Sequence, residues 1–111
     1  MLSSEIVTTQ IEAYNKRDLN ANIELFSENF QIIQFHDKAV LVDGKAACEK
    51  MYKDLFDNSP NLRAEVINRI NYGNKIILHE VIYGRYGKAE GLEQLIMFEI
   101  VNNKIEKIYK Y

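Results

Sequence analysis

The apolar pattern of this chain changes period at Pro60, the only proline among its 111 residues. Before Pro60 the apolar residues recur mostly at helical spacing, and after it they alternate almost without interruption. Helices around one early strand, followed by an unbroken set of strands, predict an α+β domain whose sheet curls around the helices and can enclose a pocket. The pattern therefore predicts a fold with a pocket but does not identify a ligand.

Two helices are predicted at the start of the chain. The first has Ser3 or Ser4 as its N-cap and ends near Lys16. The second is short, is capped by Asp18 and ends near Asn29. Together they predict a tight helical corner before the first strand.

A third helix is predicted between Asp43, its expected cap, and the terminating segment 58–60. Its apolar side is wide and consists of Ala47, Cys48, Met51, Tyr52, Leu55 and Phe56. Cys48 is the only cysteine and has no histidine near it in sequence, so we expect a small buried side chain and no nucleophile.

Six strands are predicted from runs rich in β-branched and aromatic residues. Gly73-Asn74 is the clearest hairpin turn, because both residue types tolerate positive φ. The predicted strands span residues 30–35, 38–42, 62–72, 75–85, 92–101 and 104–111. The element order is therefore α-α-β-β-α-β-β-β-β.

Composition excludes several classes of protein. The chain is 47% hydrophobic and 27% charged, which is typical of one globular domain, here residues 1–111. The net charge is −2, and the lysines and arginines are scattered along the chain, without the basic stripe that nucleic-acid binding needs. No basic leader and no membrane-spanning apolar run is visible, so we expect a cytoplasmic protein.

Several short segments resemble one known superfamily. They are Ala13-Tyr14-Asn15-x-x-Asp18-Leu19, Leu25-Phe26, Gly44 before the third helix, Gly84 at a strand end, and Asn103-Lys104-Ile105. With the element order, they resemble the nuclear transport factor 2-like superfamily, and within it the SnoaL-like and ketosteroid-isomerase-like branch. The resemblance implies a cystatin-like α+β cone in which a bent mixed sheet wraps a long helix around a deep pocket. Many members of the family pair through the convex face of the sheet.

The catalytic residues of ketosteroid isomerase do not carry over to this chain. By the resemblance, the isomerase tyrosine falls on Gln10, its base on Gln34 and its second acid near Ile96. Gln34 cannot accept a proton at neutral pH, and Ile96 cannot donate a hydrogen bond to an oxyanion. Steroid isomerisation is therefore not expected.

The sequence also lacks the residues of a second activity of the branch and shows no clear position for those of a third. The arginine and aspartate of limonene-epoxide hydrolase align with Val81 and Tyr83, and its third acidic group with about Lys110, so that triad is absent. Polyketide cyclases of the branch use a pocket acid, for which the sequence offers no clear position.

A candidate pocket follows from strand alternation together with the resemblance. On the strand 75–85, the resemblance implies that His79 and Tyr83 point inward, which leaves Glu80 on the outer face. His79 is the candidate catalytic residue because imidazole can transfer protons near neutral pH, and Tyr14 is a candidate hydrogen-bond donor. The predicted ligand-binding set is Gln10, Tyr14, Gln34, His36, Tyr52, His79, Tyr83, Ile96 and Phe98.

Three functions remain open from sequence. The missing carboxylates slightly favour a non-catalytic module that binds a small, largely apolar ligand. The first alternative is a small-molecule isomerase, cyclase or hydratase that uses His79 with Tyr14 or Tyr83. The second is a structural dimer whose pocket is filled by side chains. An inward volume above roughly a few hundred Å³ would indicate a ligand site. No metal or cofactor is predicted, since His36 and His79 lack a third ligand.

The outer face of the sheet predicts a partner. On the strand 92–101 both faces are apolar, with Leu95, Met97 and Val101 on one and Ile96, Phe98 and Ile100 on the other. Helices can cover only one of these faces. We therefore predict a twofold homodimer that covers the other.

Overall fold

A computed structural model describes all 111 residues. The helices are α1 (Ser3–Lys16), α2 (Leu19–Ile23) and α3 (Lys45–Asp57), and the strands are β1 (Phe26–Gln34), β2 (Val40–Asp43), β3 (Arg63–Tyr72), β4 (Lys75–Tyr83), β5 (Leu92–Val101) and β6 (Lys104–Lys110). A short 3-10 turn, Arg85–Gly87, joins β4 to β5. The predicted fold class and element order are confirmed.

The six strands form one curved mixed sheet in the order β2-β1-β6-β5-β4-β3. β1 runs parallel to β6, and every other neighbouring pair is antiparallel. α1 packs against β3, β4 and β6, while α3 packs against β1 and β2. We call the face that these helices cover the inner face. One hydrophobic cluster of 20 buried residues joins the helices to this face.

The N-cap of α1 is not one of the two serines predicted from the sequence. Leu2 is the N-cap, and Ser3 is already helical. The Glu5 carboxylate accepts a hydrogen bond of 2.8 Å from the Leu2 backbone N–H, which ties the chain to the first turn without a serine cap. The Asp18 cap of α2 is confirmed, because its side chain accepts a hydrogen bond from the backbone N–H of Ala21.

The boundary between α2 and β1 lies several residues earlier than predicted. Phe26 belongs to β1, where it is fully buried, and not to a helix that ends near Asn29. Phe26 and Phe30 are four residues apart, a spacing that keeps two side chains on one face of either a helix or a strand. Their rings pack edge to face with centroids 4.6 Å apart. The periodicity was therefore ambiguous at this point.

The N-terminus of α3 is also different. Gly44 is the N-cap, and its φ of +93° explains why glycine stands there. Asp43 ends β2 and accepts a hydrogen bond of 3.1 Å from Gln31, so it is not the cap. Ala47 is exposed, which narrows the predicted apolar face of α3.

The orientation of β4 is the main correction to the sequence prediction. The residues that point inward are Ile76, Leu78, Glu80 and Ile82, all of which are buried. His79 and Tyr83 therefore lie on the outer face, opposite to their predicted side. Both faces of β4 are apolar, so alternation sorts its residues into two sets without saying which set is inside. Pairing with β5 decides this, since Leu78 lies beside Ile96 and Ile76 beside Phe98.

Other predictions along the sheet are confirmed. The hairpin turn at Gly73-Asn74 connects β3 and β4. On β5, Ile96, Phe98 and Ile100 are buried, while Leu95, Met97 and Val101 are partly or largely exposed. None of the helices has both the length and the apolar character needed to span a lipid bilayer.

Candidate functional site

The inner face of the sheet encloses a cavity of about 60 Å³ beneath α1 and α3. We call it the inner chamber. Its polar lining comes from Gln10, Tyr14, Tyr52, Glu80 and Gln94, and its apolar lining from Ile11, Ala64, Ile96, Phe98 and Ile108. A few polar groups converging in an otherwise apolar cavity are typical of small-molecule sites.

Glu80 is the only ionisable carboxylate of the inner chamber. It is 4% exposed, and the Gln94 side-chain amide donates a hydrogen bond of 2.7 Å to its Oε1. The other oxygen, Oε2, accepts no hydrogen bond from another protein group. Because Glu80 lines the inner chamber, Oε2 is the carboxylate oxygen left for a ligand.

The environment of Glu80 changes its acidity. Burial raises the pKa of the Glu80 carboxyl above its usual value, because the charged form loses hydration. The hydrogen bond from Gln94 acts in the opposite direction but is the smaller effect. A carboxyl group with a raised pKa can bind and release a proton closer to neutral pH than an exposed one.

Two tyrosines face Glu80 from the helices. Tyr14 comes from α1 and Tyr52 from α3, and their rings meet edge to face with centroids 6.3 Å apart. Burial raises the pKa of Tyr14 well above its usual value, the negative charge of Glu80 raises it further, and Arg85 lowers it. Burial likewise raises the pKa of Tyr52. Both phenols therefore stay protonated and available as hydrogen-bond donors.

Gln10 is held in place at the end of the inner chamber. It is 4% exposed, and its side-chain amide donates a hydrogen bond of 2.9 Å to Asn22, which is fully buried at the end of α2. This contact fixes the Gln10 side chain across the corner between α1 and α2. Gln10 thereby supplies a fixed polar group to the chamber wall.

A second cavity of about 100 Å³ adjoins the first, and we call it the outer chamber. The two chambers share five wall residues, namely Tyr14, Tyr52, Gln94, Ile96 and Ile108. Ile32, Met51 and Leu55 add an apolar surface, and Arg85, Tyr86 and Lys110 complete the wall. The site is therefore a two-part space with a carboxylate at one end and two cations at the other.

The structure brings together five of the nine residues predicted to bind a ligand. Gln10, Tyr14, Tyr52, Ile96 and Phe98 line the inner chamber. Gln34, His36, His79 and Tyr83 line neither chamber.

His79 lies in a different environment from the one predicted. Its ring nitrogens are 3.0 Å from the Asn68 amide nitrogen and 2.8 Å from a Glu93 carboxylate oxygen. Asn68, His79 and Glu93 come from β3, β4 and β5, and all three lie on the outer face. Both ring nitrogens are thus occupied outside the cavity, so the predicted role of His79 in the pocket is wrong.

The other three displaced residues also have surface contacts. Gln34 and His36 hydrogen-bond each other near the end of β1, where the His36 side chain is 71% exposed. The Arg63 guanidinium lies over the Tyr83 ring, 4.8 Å from its centroid. These residues therefore lie at the rim of the sheet or on its outer face, outside both chambers.

Glu80 and Gln94 are missing from the sequence-predicted site. Gln94 did carry a signal, since it alternates with Ile96 and Phe98, which were correctly predicted to face inward. Glu80 carried no comparable signal, because its direction depends on the register that pairs it with Gln94. A polar pair at matched positions of two neighbouring strands is visible only once that register is known.

Metal ligation and thiol chemistry find no support in the arrangement of side chains. No three His, Cys, Asp or Glu residues lie close enough together to hold a metal ion. Cys48 is fully buried in α3, as predicted, and burial raises the pKa of its thiol to about 12. A thiol with so high a pKa carries almost no thiolate at neutral pH.

Solved structures of several proteins share this fold. An uncharacterised cystatin-fold protein from Novosphingobium aromaticivorans superimposes with a TM-score of 0.89 at 17% identity, covering 100% of this chain and 98% of that one. A protein of unknown function from Cytophaga hutchinsonii, described as nuclear transport factor 2-like, gives 0.82 at 15% identity, covering 100% and 89%. A candidate polyketide cyclase from Sinorhizobium meliloti gives 0.79 at 18% identity, covering 100% of both chains. At these identities the likeness establishes the fold alone.

The sequence itself matches a family model. No curated protein is significantly similar to the chain. The model of the SnoaL-like domain matches residues 7–108, which include every residue that lines the two chambers except Lys110. This chain is therefore a member of the SnoaL-like domain family.

Proposed function

We propose that this protein binds a compact, largely apolar molecule in the two chambers and that Glu80 transfers a proton on it. The observation that carries the proposal is the Glu80 carboxylate, which is buried, has a raised pKa and leaves one oxygen open to the cavity. A buried carboxylate lowers the stability of the fold, because its charged form is poorly solvated. Carboxylates of this kind cluster at functional sites.

The surrounding groups fit removal of a proton next to a carbonyl group. Glu80 Oε2 takes the proton from carbon, and the electron pair of the broken C–H bond moves onto the carbonyl oxygen. A hydroxyl of Tyr14 or Tyr52 donates a hydrogen bond to that oxygen as its negative charge develops. Glu80 then returns the proton to another atom of the same molecule, so the reaction class is isomerisation or cyclisation.

Two further considerations support this reaction class. The sequence favours binding over catalysis because the family carboxylates are missing from the predicted pocket. Glu80 provides a carboxylate in the inner chamber, so that argument against catalysis no longer applies. Glu80 also supplies a position for the pocket acid of polyketide cyclases, an activity suggested for the Sinorhizobium meliloti relative. The chamber volumes of about 60 and 100 Å³ restrict the ligand to a molecule much smaller than a steroid.

Deuterium incorporation tests the proposal directly. The protein is incubated in D2O with a panel of small ketones and keto acids, including cyclohexanone and levulinate, and loss of the α-proton signals is followed by NMR. We expect catalysed exchange that falls by about 100-fold or more in Glu80→Gln, the usual contribution of a general base. Glu93→Gln, on the outer face, is the matched control and should exchange like the wild type. Equal rates in Glu80→Gln and Glu93→Gln would contradict the proposal.

A second candidate function is a structural domain whose cavity holds no specific ligand. It is favoured by the small volume of the chambers, which is below the few hundred Å³ typical of drug-sized sites. The two candidates differ in a thermal-shift screen, because a ligand that binds only the folded state raises the melting temperature. Compounds that stabilise the wild type but not a cavity-filling Ala64→Leu variant would favour the ligand site.

A further inference from the structure

The outer chamber contains two cations that no protein group neutralises. Arg85 and Lys110 both line this chamber of about 100 Å³. Neither takes part in any of the six ion pairs of the molecule, and neither donates a side-chain hydrogen bond. Burial and the charge of Arg85 lower the pKa of Lys110 below its usual value. Two like charges that share a partly buried space repel each other, which makes the arrangement costly in the absence of an anion.

The backbone holds Arg85 over this chamber. Gly84 turns the chain after β4 with a φ of +75°, and a side chain there would collide with the Asn61 carbonyl oxygen. Tyr86, the residue after Arg85, is held by two hydrogen bonds to the last turn of α3 and the segment that follows it. Its backbone N–H donates to the buried Ser59 hydroxyl at 2.8 Å, and its phenol donates to Asp54 at 2.9 Å. The segment that carries Arg85 is therefore anchored on both sides.

Lys110 reaches the same chamber from the sheet. It lies beside Ile96 in the pairing of β5 with β6, so its side chain projects from the inner face. Ile108, two residues earlier on the same strand, lines both chambers. On β5, which lies between β6 and β4, Ile96 and Gln94 separate Lys110 from Glu80.

We propose that the ligand of this protein is a small carboxylic acid, whose carboxylate is bound by Arg85 and Lys110 in the outer chamber. Its apolar part lies against Ile32, Met51 and Leu55, and its other end reaches Glu80. The arrangement fixes the direction of binding, since a carboxylate at the inner end would be repelled by Glu80. This inference rests on the proposed function for the role of the inner end, and it names the substrate class of that same site.

Calorimetric titration with two probes of equal length tests the inference. Hexanoate and hexanamide share the same apolar chain and differ in charge. We expect hexanoate to bind the wild type at least about tenfold more tightly, the usual effect of charge-assisted hydrogen bonds. Arg85→Gln and Lys110→Gln should each reduce the hexanoate affinity about tenfold and leave that of hexanamide unchanged. Arg85→Lys retains the charge and should retain most of the preference, which separates loss of charge from loss of fold.

Lys88→Gln is the matched control, because Lys88 carries the same charge on the same connection but lies outside the outer chamber. It should bind both probes like the wild type. The inference is overturned if hexanoate and hexanamide bind equally, if neither binds, or if Lys88→Gln weakens hexanoate as much as Arg85→Gln does.

The outcome can be separated from that of the proposed function. Glu80→Gln should retain the preference for hexanoate, because the anion is held at the opposite end of the site. If Glu80→Gln exchanges α-protons as fast as the wild type while hexanoate still binds through Arg85 and Lys110, the proton-transfer proposal fails and the inference stands. If exchange depends on Glu80 but is equally fast for cyclohexanone and levulinate in the wild type and in Arg85→Gln, the inference fails alone.

Discussion

The two faces of β4 place adjacent ionisable residues in opposite situations. Glu80 on the inner face is 4% exposed, has one hydrogen bond and keeps an oxygen open to a cavity. His79 on the outer face has both ring nitrogens within hydrogen-bond distance of other side chains. Glu80, and not His79, is the group that lines a cavity with one oxygen free of protein donors. Availability and burial therefore decide which residue can react.

The largest difference between the faces should appear in stability. Leu78→Ala removes a fully buried side chain of the inner face and should lower the free energy of unfolding by about 2 to 5 kcal/mol. Leu95→Ala makes the same change on the outer face, where the side chain is 40% exposed, and should cost the monomer less than about 1 kcal/mol. Urea denaturation at a protein concentration low enough to keep the chains monomeric measures both values. Equal losses would contradict the assignment of the two faces.

The outer face should also govern self-association. It exposes Ile70, Leu95 and neighbouring apolar side chains, and a twofold dimer through this face remains our prediction. Light scattering at micromolar concentration should give twice the chain mass for the wild type, and the monomer mass for Leu95→Glu, which buries a charge in the interface.

Leu2→Glu is the control for that experiment, since Leu2 is the same residue type and is even more exposed than Leu95 but precedes α1. It should remain dimeric. A monomeric wild type would contradict the predicted dimer. Dissociation of both variants would mean that added negative charge alone separates the chains, whatever its position.

A smaller effect is expected from Glu80→Gln, with a characteristic pH dependence. The folded state holds the Glu80 pKa above its ordinary value of 4.5, so the protonated form is favoured by folding. The stability that protonated Glu80 contributes is complete below pH 4.5 and is lost as the pH rises through the folded-state pKa. Glu80→Gln removes the buried charge, keeps an acceptor for Gln94, and should raise the melting temperature at pH 7 by a few degrees.

The comparison across pH separates this cause from others. The difference between Glu80→Gln and the wild type should shrink as the pH falls toward 4, where wild-type Glu80 is protonated. Thermal unfolding at several pH values measures it. Glu93→Gln should lack this pattern, and a pH-independent difference for Glu80→Gln would point to packing instead of charge.

The smallest effect should follow His79→Gln. Glu93, the charged partner of His79, is 71% exposed, and exposed pairs of this kind contribute about 0 to 1 kcal/mol. Glutamine can still hydrogen-bond Asn68, so unfolding in urea should change by less than about 1 kcal/mol. Binding of hexanoate should not change. A loss of binding in His79→Gln would restore His79 to the site and reverse the comparison.

The fold could be predicted well from the sequence, but the site could be predicted only in part. The helical residues Gln10, Tyr14 and Tyr52 line the inner chamber, in agreement with the prediction from the family resemblance and from the amphipathic helices, whose apolar stripe has only one side to bury. The inward residues of β5, including Ile96 and Phe98, were also correct. Residues of β4 were reversed, because a strand with two apolar faces gives two solutions that alternation cannot separate.

The position of Arg85 was missed for a related reason. The sequence predicts that β4 continues to about Arg85, whereas the strand ends at Tyr83 and Arg85 lies in the following turn. The sequence also indicates a strand end at Gly84, but the direction in which its positive φ turns the chain depends on the close approach of Asn61. That approach exists only in the folded molecule.

The sequence by itself determined the order of elements, the change from helices to strands at Pro60, and the helical residues that reach the cavity. These features follow from local periodicity and turn chemistry, which act over a few residues. Tertiary structure alone decided that Glu80 and not His79 faces inward, and that Arg85 and Lys110 share a chamber. Strand register and the turn after β4 join residues that are distant in the sequence, and no local pattern records which of two equally apolar faces the helices will cover.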